Sequence, residues 1–288
     1  MSIQPWFLEL REPERMDVNG FDIRTEIFRR DMTKRVTAVL IAEDKGIISG
    51  IERAEELARD MRLEFASSLR NGDGVEPATE IATLIGNPVQ MARAEEVLIG
   101  TLSKSSGIAT RARQALISAG ERCQVISGGW KKMPHQIKEL VRQAVRDGGL
   151  ETRIMNQPFV YVDKNYVRIL GGIGEAMEAV SHLGRTIVIQ TRGETAPVDE
   201  EAVLAVERGA SVVMVDTGVR EHLAEVSKAL RNHGIRDRAR IAFAGNISMD
   251  QIVGLSREDV DLIDIGYAIL DAPCLPIRFD VVSVDEDS

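Results

Sequence analysis

Two glycine turns near the end of the chain have the composition of an anion site. Ala244-Gly245-Asn246 follows the largely apolar run Arg240–Phe243, and Gly266-Tyr267 follows the run Val260–Ile265. A glycine lets backbone N–H groups approach an anion closely, and a helix that begins behind the turn adds its dipole. Glycines also turn the chain after strands that bind nothing, so the turns favour a phosphate site without establishing one.

Polar side chains follow the four earlier apolar runs at the point where each run ends. In chain order they are Lys131 and Lys132, then Asp163, Lys164 and Asn165, then Gln190, then Asp216. Arg153 lies shortly before the second run. The carboxyl ends of the strands form the active-site face of an α/β barrel, where such side chains are solvated or bind a ligand. Each one alone is more often a solvated loop residue, but their recurrence on consecutive loops favours a binding site.

The apolar runs predict parallel strands with helices between them. The six runs are Cys123–Ile126, Phe159–Val162, Thr186–Ile189, Ser211–Val215, Arg240–Phe243 and Val260–Ile265. The amphipathic stretches between them include Ile137–Val145, Glu175–His182, Glu200–Glu207 and Glu221–Leu230. Strands without polar alternation are typical of a parallel sheet that is covered on both faces. Six such units in succession favour a closed or nearly closed α/β barrel.

The segment before residue 118 predicts a separate α+β arrangement. Helical patterns cover Ile48–Leu69 and Gln90–Ser105, and extended runs cover Thr37–Ala42 and Glu80–Ile85. The spacing of these elements does not continue the strand and helix alternation that follows.

The length of 288 residues is enough for two domains. We place an N-terminal α/β sandwich domain at residues 1–117 and an α/β barrel at residues 118–272. Residues 273–288 are expected to return to the N-terminal domain.

Composition and charge exclude several classes of function. A net charge of -9 and a pI near 5.2 argue against a general affinity for nucleic acid, which needs a basic face. No stretch approaches the roughly 18 apolar residues of a membrane span, and the N-terminus lacks a secretory apolar region, so we expect a cytoplasmic protein without membrane contact. Cys123, Cys274 and the four histidines have spacings unlike those of a disulfide framework or a metal cluster.

Several ordered motifs resemble the quinolinate phosphoribosyltransferase family, the carboxylating nicotinate-nucleotide pyrophosphorylases. Ile41-Ala42-Glu43-Asp44-Lys45-Gly46-Ile47-Ile48-Ser49-Gly50 and Ser106-Gly107-Ile108-Ala109-Thr110, the latter expected at a helix end, resemble its N-terminal domain. The resemblance runs from about Asp31 to Gly266. Its later positions are Lys131, Pro134, Gly148-Gly149, Arg153, Asn165, Gly171-Gly172, Asp216 and Gly245-Asn246-Ile247.

The resemblance implies an activity, a fold and an assembly. Enzymes of this family transfer ribose 5-phosphate from phosphoribosyl pyrophosphate to quinolinate, releasing pyrophosphate and carbon dioxide. Their fold is an N-terminal α/β sandwich joined to an incomplete α/β barrel, so the resemblance implies that the barrel at residues 118–272 binds the phosphoribosyl group. Their dimers place the N-terminal domain of one subunit over the barrel of the other, so a homodimer or a larger homo-oligomer is implied here, with a magnesium ion as cofactor.

The sequence departs from the family where the family binds quinolinate. Glu96 stands where an arginine is expected, and Trp130 replaces the arginine before the retained Lys131. Thr152 replaces a histidine before Arg153, and Asp163 replaces a lysine, with Lys164 one position later.

The acids that the family links to its metal are also reduced. Gln190 replaces a glutamate while Asp216 is retained, which weakens the implied magnesium site at Asp216. We expect Lys131, Gln190 and Asp216 to carry the chemistry.

Three readings remain open for the acceptor pocket. The residues expected in it are Glu96, Trp130, Thr152, Arg153, Asp163, Lys164 and Asn165. The first reading is a phosphoribosyltransferase for a ring acceptor less anionic than quinolinate. The second is a non-catalytic homologue that binds a nucleotide or a sugar phosphate. The third is quinolinate transfer in a rearranged pocket, whose replacement cations would be Arg153, Lys131, Lys132, Lys164 and Arg111.

Overall fold

The computed structural model describes residues 22–285, whose three buried hydrophobic clusters lie in two parts of the chain joined by one long helix. The N-terminal part contains α1 (Ile23–Ile27), β1 (Arg35–Ala42), β2 (Gly46–Ile47), α2 (Ile51–Asp60), β3 (Glu64–Ala66), β4 (Gly74–Val75), β5 (Glu80–Gly86) and α3 (Pro88–Ala119). Leu98 and Leu102 of α3 are buried in the N-terminal core, whereas Ala112 and Ala115 are buried in the second core. The helix therefore fixes the two parts relative to each other.

The N-terminal sheet is antiparallel and takes its edge strand from the end of the chain. Its strand order is β12-β1-β5-β3, where β12 is Ile277–Asp285. In this register Ala42 lies opposite Ile277 and Arg35 lies opposite Asp285. The residues of β1 alternate between buried and more accessible positions, as a sheet with one covered face requires.

The helix predicted at Ile48–Leu69 is longer than the helix in the structure. The helix α2 begins after Gly50, which has a φ of 90°, and ends before Arg62, which has a φ of 59°. The chain then forms β3, which pairs with β5. Backbone pairing with a neighbouring strand thus overrides the local helical pattern.

The prediction that a helix ends near Ser105 is also wrong, because α3 continues to Ala119. Ser106 lies inside α3, where its Oγ accepts a hydrogen bond from the backbone N–H of Ser49 at 3.0 Å. A Cβ on Gly107 would lie 2.0 Å from the carbonyl oxygen of Pro273. The Ser-Gly-Ile-Ala-Thr motif therefore joins α3 to two loops instead of ending it.

The second part is an incomplete α/β barrel. Its strands are β6 (Gln124–Ile126), β7 (Phe159–Val162), β8 (Thr186–Thr191), β9 (Val212–Asp216), β10 (Arg240–Ala244) and β11 (Leu262–Asp264), in the order β6-β11-β10-β9-β8-β7. All five pairings are parallel. Within the described residues β6 and β7 are not paired with each other, so the barrel stays open between its first and second strands. The six runs predicted as strands are confirmed.

The helices of this part cover the outside of the barrel. They are α4 (Lys138–Asp147), α5 (Lys164–Leu170), α6 (Ile173–Ser181), α7 (Val198–Glu207), α8 (Arg220–Asn232), α9 (Ile252–Leu255) and α10 (Tyr267–Leu270). Val188, Met214 and Leu262 belong to a cluster inside the barrel, whereas Ile189 and Val213 belong to the core that includes the helices. Both faces of the strands are buried, which explains why the runs show no polar alternation. None of the helices among residues 22–285 is long and apolar enough to cross a membrane.

Candidate active site

Two adjoining cavities open at the carboxyl ends of the barrel strands. The larger has a volume of about 480 Å³, and we call it the turn cavity because the glycine turns line it. The smaller has a volume of about 290 Å³, and we call it the aromatic cavity because Trp130, Phe159 and Tyr161 line it. Lys131 is among the residues that line both. A ligand with two parts can therefore occupy the two cavities together.

Most of the predicted site residues line these cavities. Those in the turn cavity are Lys131, Asp163, Lys164, Gln190, Asp216, Ala244, Gly245, Asn246, Gly266 and Tyr267. Those in the aromatic cavity are Trp130, Lys131, Thr152 and Arg153. Glu96 and Asn165 line neither cavity.

Close contacts between glycines shape the turn cavity. Gly245 has a φ of 112°, and a Cβ there would lie 2.3 Å from the backbone nitrogen of Gly218. The N–H of Gly218 donates a hydrogen bond to the carbonyl of Ala244 at 2.9 Å. A Cβ on Gly129 would lie 3.1 Å from the Cα of Gly266. The turns after several strands thus pack backbone against backbone, which side chains would prevent.

The helices behind the two turns are shorter than the sequence suggests. The α9 and α10 helices have four residues each, and α9 is preceded by a 3₁₀ turn at Met249–Gln251. A helix dipole sums over many aligned peptides, so its contribution here is small. Backbone N–H groups and nearby cations remain as the means of binding an anion.

Three lysines of the turn cavity have no carboxylate partner among residues 22–285. They are Lys131, Lys132 and Lys164. The ammonium group of Lys132 lies 4.0 Å from the centre of the Tyr267 ring, and that of Lys131 lies 5.1 Å from the centre of the Tyr161 ring. The aromatic rings orient these cations without neutralising them. They can therefore pair with an anionic ligand.

Asp216 lies in a hydrogen-bonded cluster that includes an arginine the sequence analysis missed. Its Oδ2 accepts hydrogen bonds from Gln190 Nε2 at 2.6 Å and from Arg192 Nη1 at 2.7 Å. The Oε1 of Gln190 accepts a hydrogen bond from the backbone N–H of Lys164 at 2.9 Å. Arg192 follows the same strand as Gln190, so the rule that selected Gln190 applies to it as well.

The loop that carries Arg192 is held by a buried carboxylate. Glu201 is 2% exposed, and its two oxygens accept hydrogen bonds from the backbone N–H groups of Arg192, Gly193, Glu194 and Thr195 at 2.8 to 3.0 Å. Burial opposes ionisation of Glu201, but these hydrogen bonds outweigh it and lower its pKa. The ionised carboxylate thereby fixes the loop at the edge of the turn cavity.

Asp264 lies between the two cavities and lines both. Its Oδ1 accepts a hydrogen bond from the backbone N–H of Gly128 at 2.8 Å. Burial raises its pKa, in spite of that hydrogen bond and the nearby charge of Lys131. Burial also raises the pKa of the neighbouring Tyr161 phenol, which therefore stays protonated. In the sequence, Asp264 was expected only as part of the last apolar run, Val260–Ile265.

The aromatic cavity combines a fixed indole ring with cations. Trp130 Nε1 donates a hydrogen bond to the backbone carbonyl of Thr152 at 3.1 Å, and the guanidinium of Arg142 stacks 4.7 Å from the indole ring. The guanidinium of Arg153 lies 5.5 Å from the ring of Phe159. Arg153 has no carboxylate partner among residues 22–285. The cavity therefore offers ring surfaces together with a few positive charges.

Asp163 and Glu96 make structural contacts in addition to any contact with a ligand. Asp163 caps α5, where its Oδ1 accepts hydrogen bonds from the backbone N–H groups of Asn165 and Tyr166. Glu96 accepts a hydrogen bond from Arg24 Nη1 at 2.8 Å. Each of the two acidic residues therefore has a structural role within its own chain.

The groups around Asp216 do not match a resident magnesium site. No cluster of three or more potential ligands from histidine, cysteine, aspartate and glutamate occurs within residues 22–285. Both donors on Asp216 Oδ2 come from nitrogen groups, one of them cationic, whereas magnesium is usually held by carboxylates, water and substrate phosphates. The magnesium ion that the resemblance implies stays a prediction.

Comparison with known proteins agrees with this architecture. Residues 22–106 match the N-terminal domain of quinolinate phosphoribosyl transferase, and residues 108–280 match its C-terminal domain. The chain belongs to the quinolinate phosphoribosyl transferase family. The resemblance identified in the sequence is thereby confirmed.

Individual relatives of the family are distant in sequence. A probable carboxylating nicotinate-nucleotide pyrophosphorylase from Methanothermobacter thermautotrophicus is 27% identical and covers 94% of this chain and 97% of its own length. A protein of the same description from Archaeoglobus fulgidus is 25% identical, over 87% of this chain and 96% of its own length.

Solved structures show the same fold. The crystal structure of nicotinate-nucleotide pyrophosphorylase from Pyrococcus furiosus superimposes with a TM-score of 0.78 at 21% identity, covering 98% of this chain and 79% of that one. The corresponding protein from Ehrlichia chaffeensis superimposes with a TM-score of 0.79 at 17% identity, covering 93% and 95%. The predicted fold class, an N-terminal α/β sandwich domain followed by an incomplete parallel α/β barrel, is therefore confirmed.

Proposed function

We propose that this chain is a phosphoribosyltransferase that transfers ribose 5-phosphate from phosphoribosyl pyrophosphate to a ring nitrogen of an acceptor less anionic than quinolinate. Family membership supports the reaction type. The make-up of the aromatic cavity supports the choice of acceptor, because an indole ring stands in it at the position where the family has an arginine.

The turn cavity suits the phosphorylated donor. Glycine turns would let backbone groups approach a ligand closely, and the same space is lined by three lysines that form no ion pair with a carboxylate among residues 22–285. Charge-assisted hydrogen bonds from lysine and arginine to phosphate are among the stronger polar contacts in proteins. Lys131 lines both cavities, so it can balance negative charge where the donor and the acceptor meet.

The aromatic cavity suits a planar ring with few carboxylates. Trp130 is fixed by its hydrogen bond to Thr152, so its ring can stack on the acceptor. Arg153 and Lys131 can pair with one acidic group. A second carboxylate would meet the indole ring, and burying an unpaired charge is costly.

Turnover with pyridine acceptors that differ in their number of carboxylates tests this proposal. Quinolinate carries two carboxylates, nicotinate carries one and nicotinamide carries none. We expect pyrophosphate release with an acceptor that carries one or no carboxylate, and none above background with quinolinate. Quinolinate turnover of about 1 per second or more would contradict the choice of acceptor, and the third reading of the sequence would then hold.

A matched pair of variants sharpens that test. Trp130→Arg restores the cation that the family has at this position, so it should increase the affinity for quinolinate. Trp130→Phe keeps an aromatic ring without a charge and should not. Equal quinolinate affinity in the two variants would show that residue 130 does not select the acceptor.

A second candidate function is a homologue that binds a phosphorylated ligand without turnover. The observation that favours it is Gln190, an amide in place of the family's glutamate, which is hydrogen-bonded to Asp216 instead of acting as a second carboxylate. Binding of phosphoribosyl pyrophosphate without pyrophosphate release across a wide panel of ring acceptors would support this candidate.

We propose that the functional unit is a homodimer. The family arrangement would set the helix that carries Glu96 over the barrel of a second copy, which would give Glu96 a place near an acceptor that it lacks within one chain. Light scattering should then give a mass of at least twice 31.7 kDa. A monomer at micromolar concentration would contradict the shared site and leave Glu96 with only its contacts to its own chain.

A further inference from the structure

We propose that the guanidinium of Arg192 takes the place of a divalent cation in the turn cavity, so that this chain binds the pyrophosphate group of its donor without a metal ion. The inference rests on the function proposed above. It concerns the cluster of Arg192, Gln190 and Asp216, whose side chains all line the turn cavity.

One of the two carboxylate oxygens of Asp216 is already occupied. Asp216 Oδ2 accepts hydrogen bonds from Arg192 Nη1 at 2.7 Å and from Gln190 Nε2 at 2.6 Å. Two short donors satisfy the lone pairs of that oxygen. A divalent cation at this oxygen would have to displace both donors, and a cation at either oxygen of Asp216 would be repelled by the guanidinium.

The other carboxylates that line the cavity within residues 22–285 are already engaged, and one oxygen of Asp264 accepts a hydrogen bond from the N–H of Gly128. Gln190 directs its amide nitrogen at Asp216 and its amide oxygen at the backbone N–H of Lys164, so its orientation is fixed by both contacts. Asp163 also lines the cavity, but one of its oxygens caps α5. The cavity therefore offers few free oxygen ligands of the kind that magnesium requires, and residues 22–285 contain no cluster of three or more potential ligands from histidine, cysteine, aspartate and glutamate.

Arg192 is held in place before any ligand arrives. Glu201 accepts hydrogen bonds from the backbone N–H groups of Arg192 and the three residues that follow it. Glu194 in the same loop forms a bidentate pair with Arg168, with both distances at 2.6 Å. A cation on a rigid loop loses little conformational entropy when it binds a ligand.

The guanidinium still has donors to offer. Its side chain is 33% exposed, and its Nη2 makes no hydrogen bond within residues 22–285. A planar guanidinium presents several N–H groups and binds phosphate oxygens in pairs. Together with Lys131, Lys132 and Lys164 it can supply the positive charge that a metal ion would otherwise bring.

Binding of inorganic pyrophosphate and of phosphoribosyl pyrophosphate, measured by calorimetry in excess EDTA and in millimolar magnesium, tests the inference. The wild-type chain should bind both ligands in EDTA with nearly the affinity that it has in magnesium. Arg192→Gln should bind about tenfold to a hundredfold more weakly in EDTA, since it loses a charged hydrogen-bond donor. Magnesium should restore part of that affinity, because Asp216 is released.

Two further variants separate this role from a structural one. Arg185→Gln removes an exposed arginine just before the start of the same strand, β8, and should leave both affinities unchanged. The double variant Arg192→Gln with Gln190→Glu restores two facing carboxylates and should bind Mn²⁺, detected by its paramagnetic resonance, whereas the wild-type chain should not.

The outcomes distinguish this inference from the function on which it rests. Wild-type binding that occurs only with magnesium would overturn the role of Arg192 and leave the phosphoribosyltransferase proposal standing. An absence of binding in both buffers would overturn both. Unchanged affinity of Arg192→Gln in EDTA would likewise overturn the role of Arg192.

Discussion

The turn cavity and the aromatic cavity share one mouth but are built in different ways. Backbone contacts shape the turn cavity, where Gly245 packs against Gly218 and Gly129 packs against Gly266. Side chains shape the aromatic cavity, where Trp130 takes its position from one hydrogen bond and the stacked Arg142. A site made of backbone resists change in sequence, whereas a site made of side chains changes its chemistry with each substitution.

This difference is consistent with the proposed function, in which the chain keeps the phosphate turns of the family and differs from the family near the acceptor. A side chain at Gly245 would overlap the backbone of Gly218, so the arrangement of that turn would be lost. Under the same proposal, Trp130 changes what the aromatic cavity binds without a change in the backbone of the barrel.

The largest effect should come from Gly245→Ala. The added Cβ would overlap the backbone of Gly218, and the φ of 112° is strained for alanine. We expect pyrophosphate affinity to fall at least about a hundredfold, which corresponds to about 2–3 kcal/mol. Calorimetry measures the affinity and circular dichroism reports whether the fold remains. Gly254→Ala is the matched control, because a Cβ there meets no atom closer than 3.9 Å.

Glu201→Ala should have the next largest effect, on stability. The change leaves four backbone N–H groups of the loop at residues 192–195 without their acceptor. We expect the free energy of unfolding to fall by about 2 kcal/mol, since water can satisfy part of the loop. Denaturant unfolding measures it, with the exposed neighbour Glu200→Ala as control. Equal losses of unfolding free energy in the two variants would contradict the role of Glu201 in holding the loop.

Trp130→Ala tests whether the aromatic cavity binds the acceptor independently of pyrophosphate binding in the turn cavity. Loss of the stacking ring should raise the KM for a ring acceptor about tenfold, because aromatic stacking contributes about 0.5–1.5 kcal/mol. Affinity for pyrophosphate should stay within about twofold of wild type. A parallel loss of pyrophosphate affinity would mean that the cavities act as one unit.

Asp163→Ala should lower stability by about 1 kcal/mol, because it removes the cap of α5. Asp163→Asn keeps an oxygen that can cap the helix, so its stability should match that of wild type. Thermal unfolding of the three proteins distinguishes the cap from the charge. If both variants unfold like wild type, the cap makes no net contribution.

Acid should weaken the hydrogen bonds that Glu201 accepts from the loop at residues 192–195 before it affects the glycine turns. Glu201 has a lowered pKa in the folded chain, so its contribution is present above the pKa of the unfolded state, about 4.3. The contribution declines as the pH falls below that value toward the folded pKa. The difference in unfolding free energy between wild type and Glu201→Gln should therefore shrink from pH 7 to pH 3. A constant difference would contradict the link to ionisation.

The sequence alone determined the order of the barrel strands along the chain and the place where the site lies. The six apolar runs became the six strands because a strand buried on both faces must be apolar throughout its length. The residues at their ends became the lining of the two cavities because parallel strands bring their carboxyl ends to one face. Both features depend on patterns of consecutive residues, which the sequence shows directly.

Tertiary structure decided which residues act on one another. Arg192 donates a hydrogen bond to Asp216 although 24 positions separate them. Glu201 holds its loop through backbone N–H groups, which every residue type except proline has, so the residue types of the loop do not indicate this contact. Arg142 reaches the aromatic cavity from the middle of a helix that the sequence marked only as amphipathic. Contacts of this kind depend on the packing of whole elements, and local residue patterns do not specify that packing.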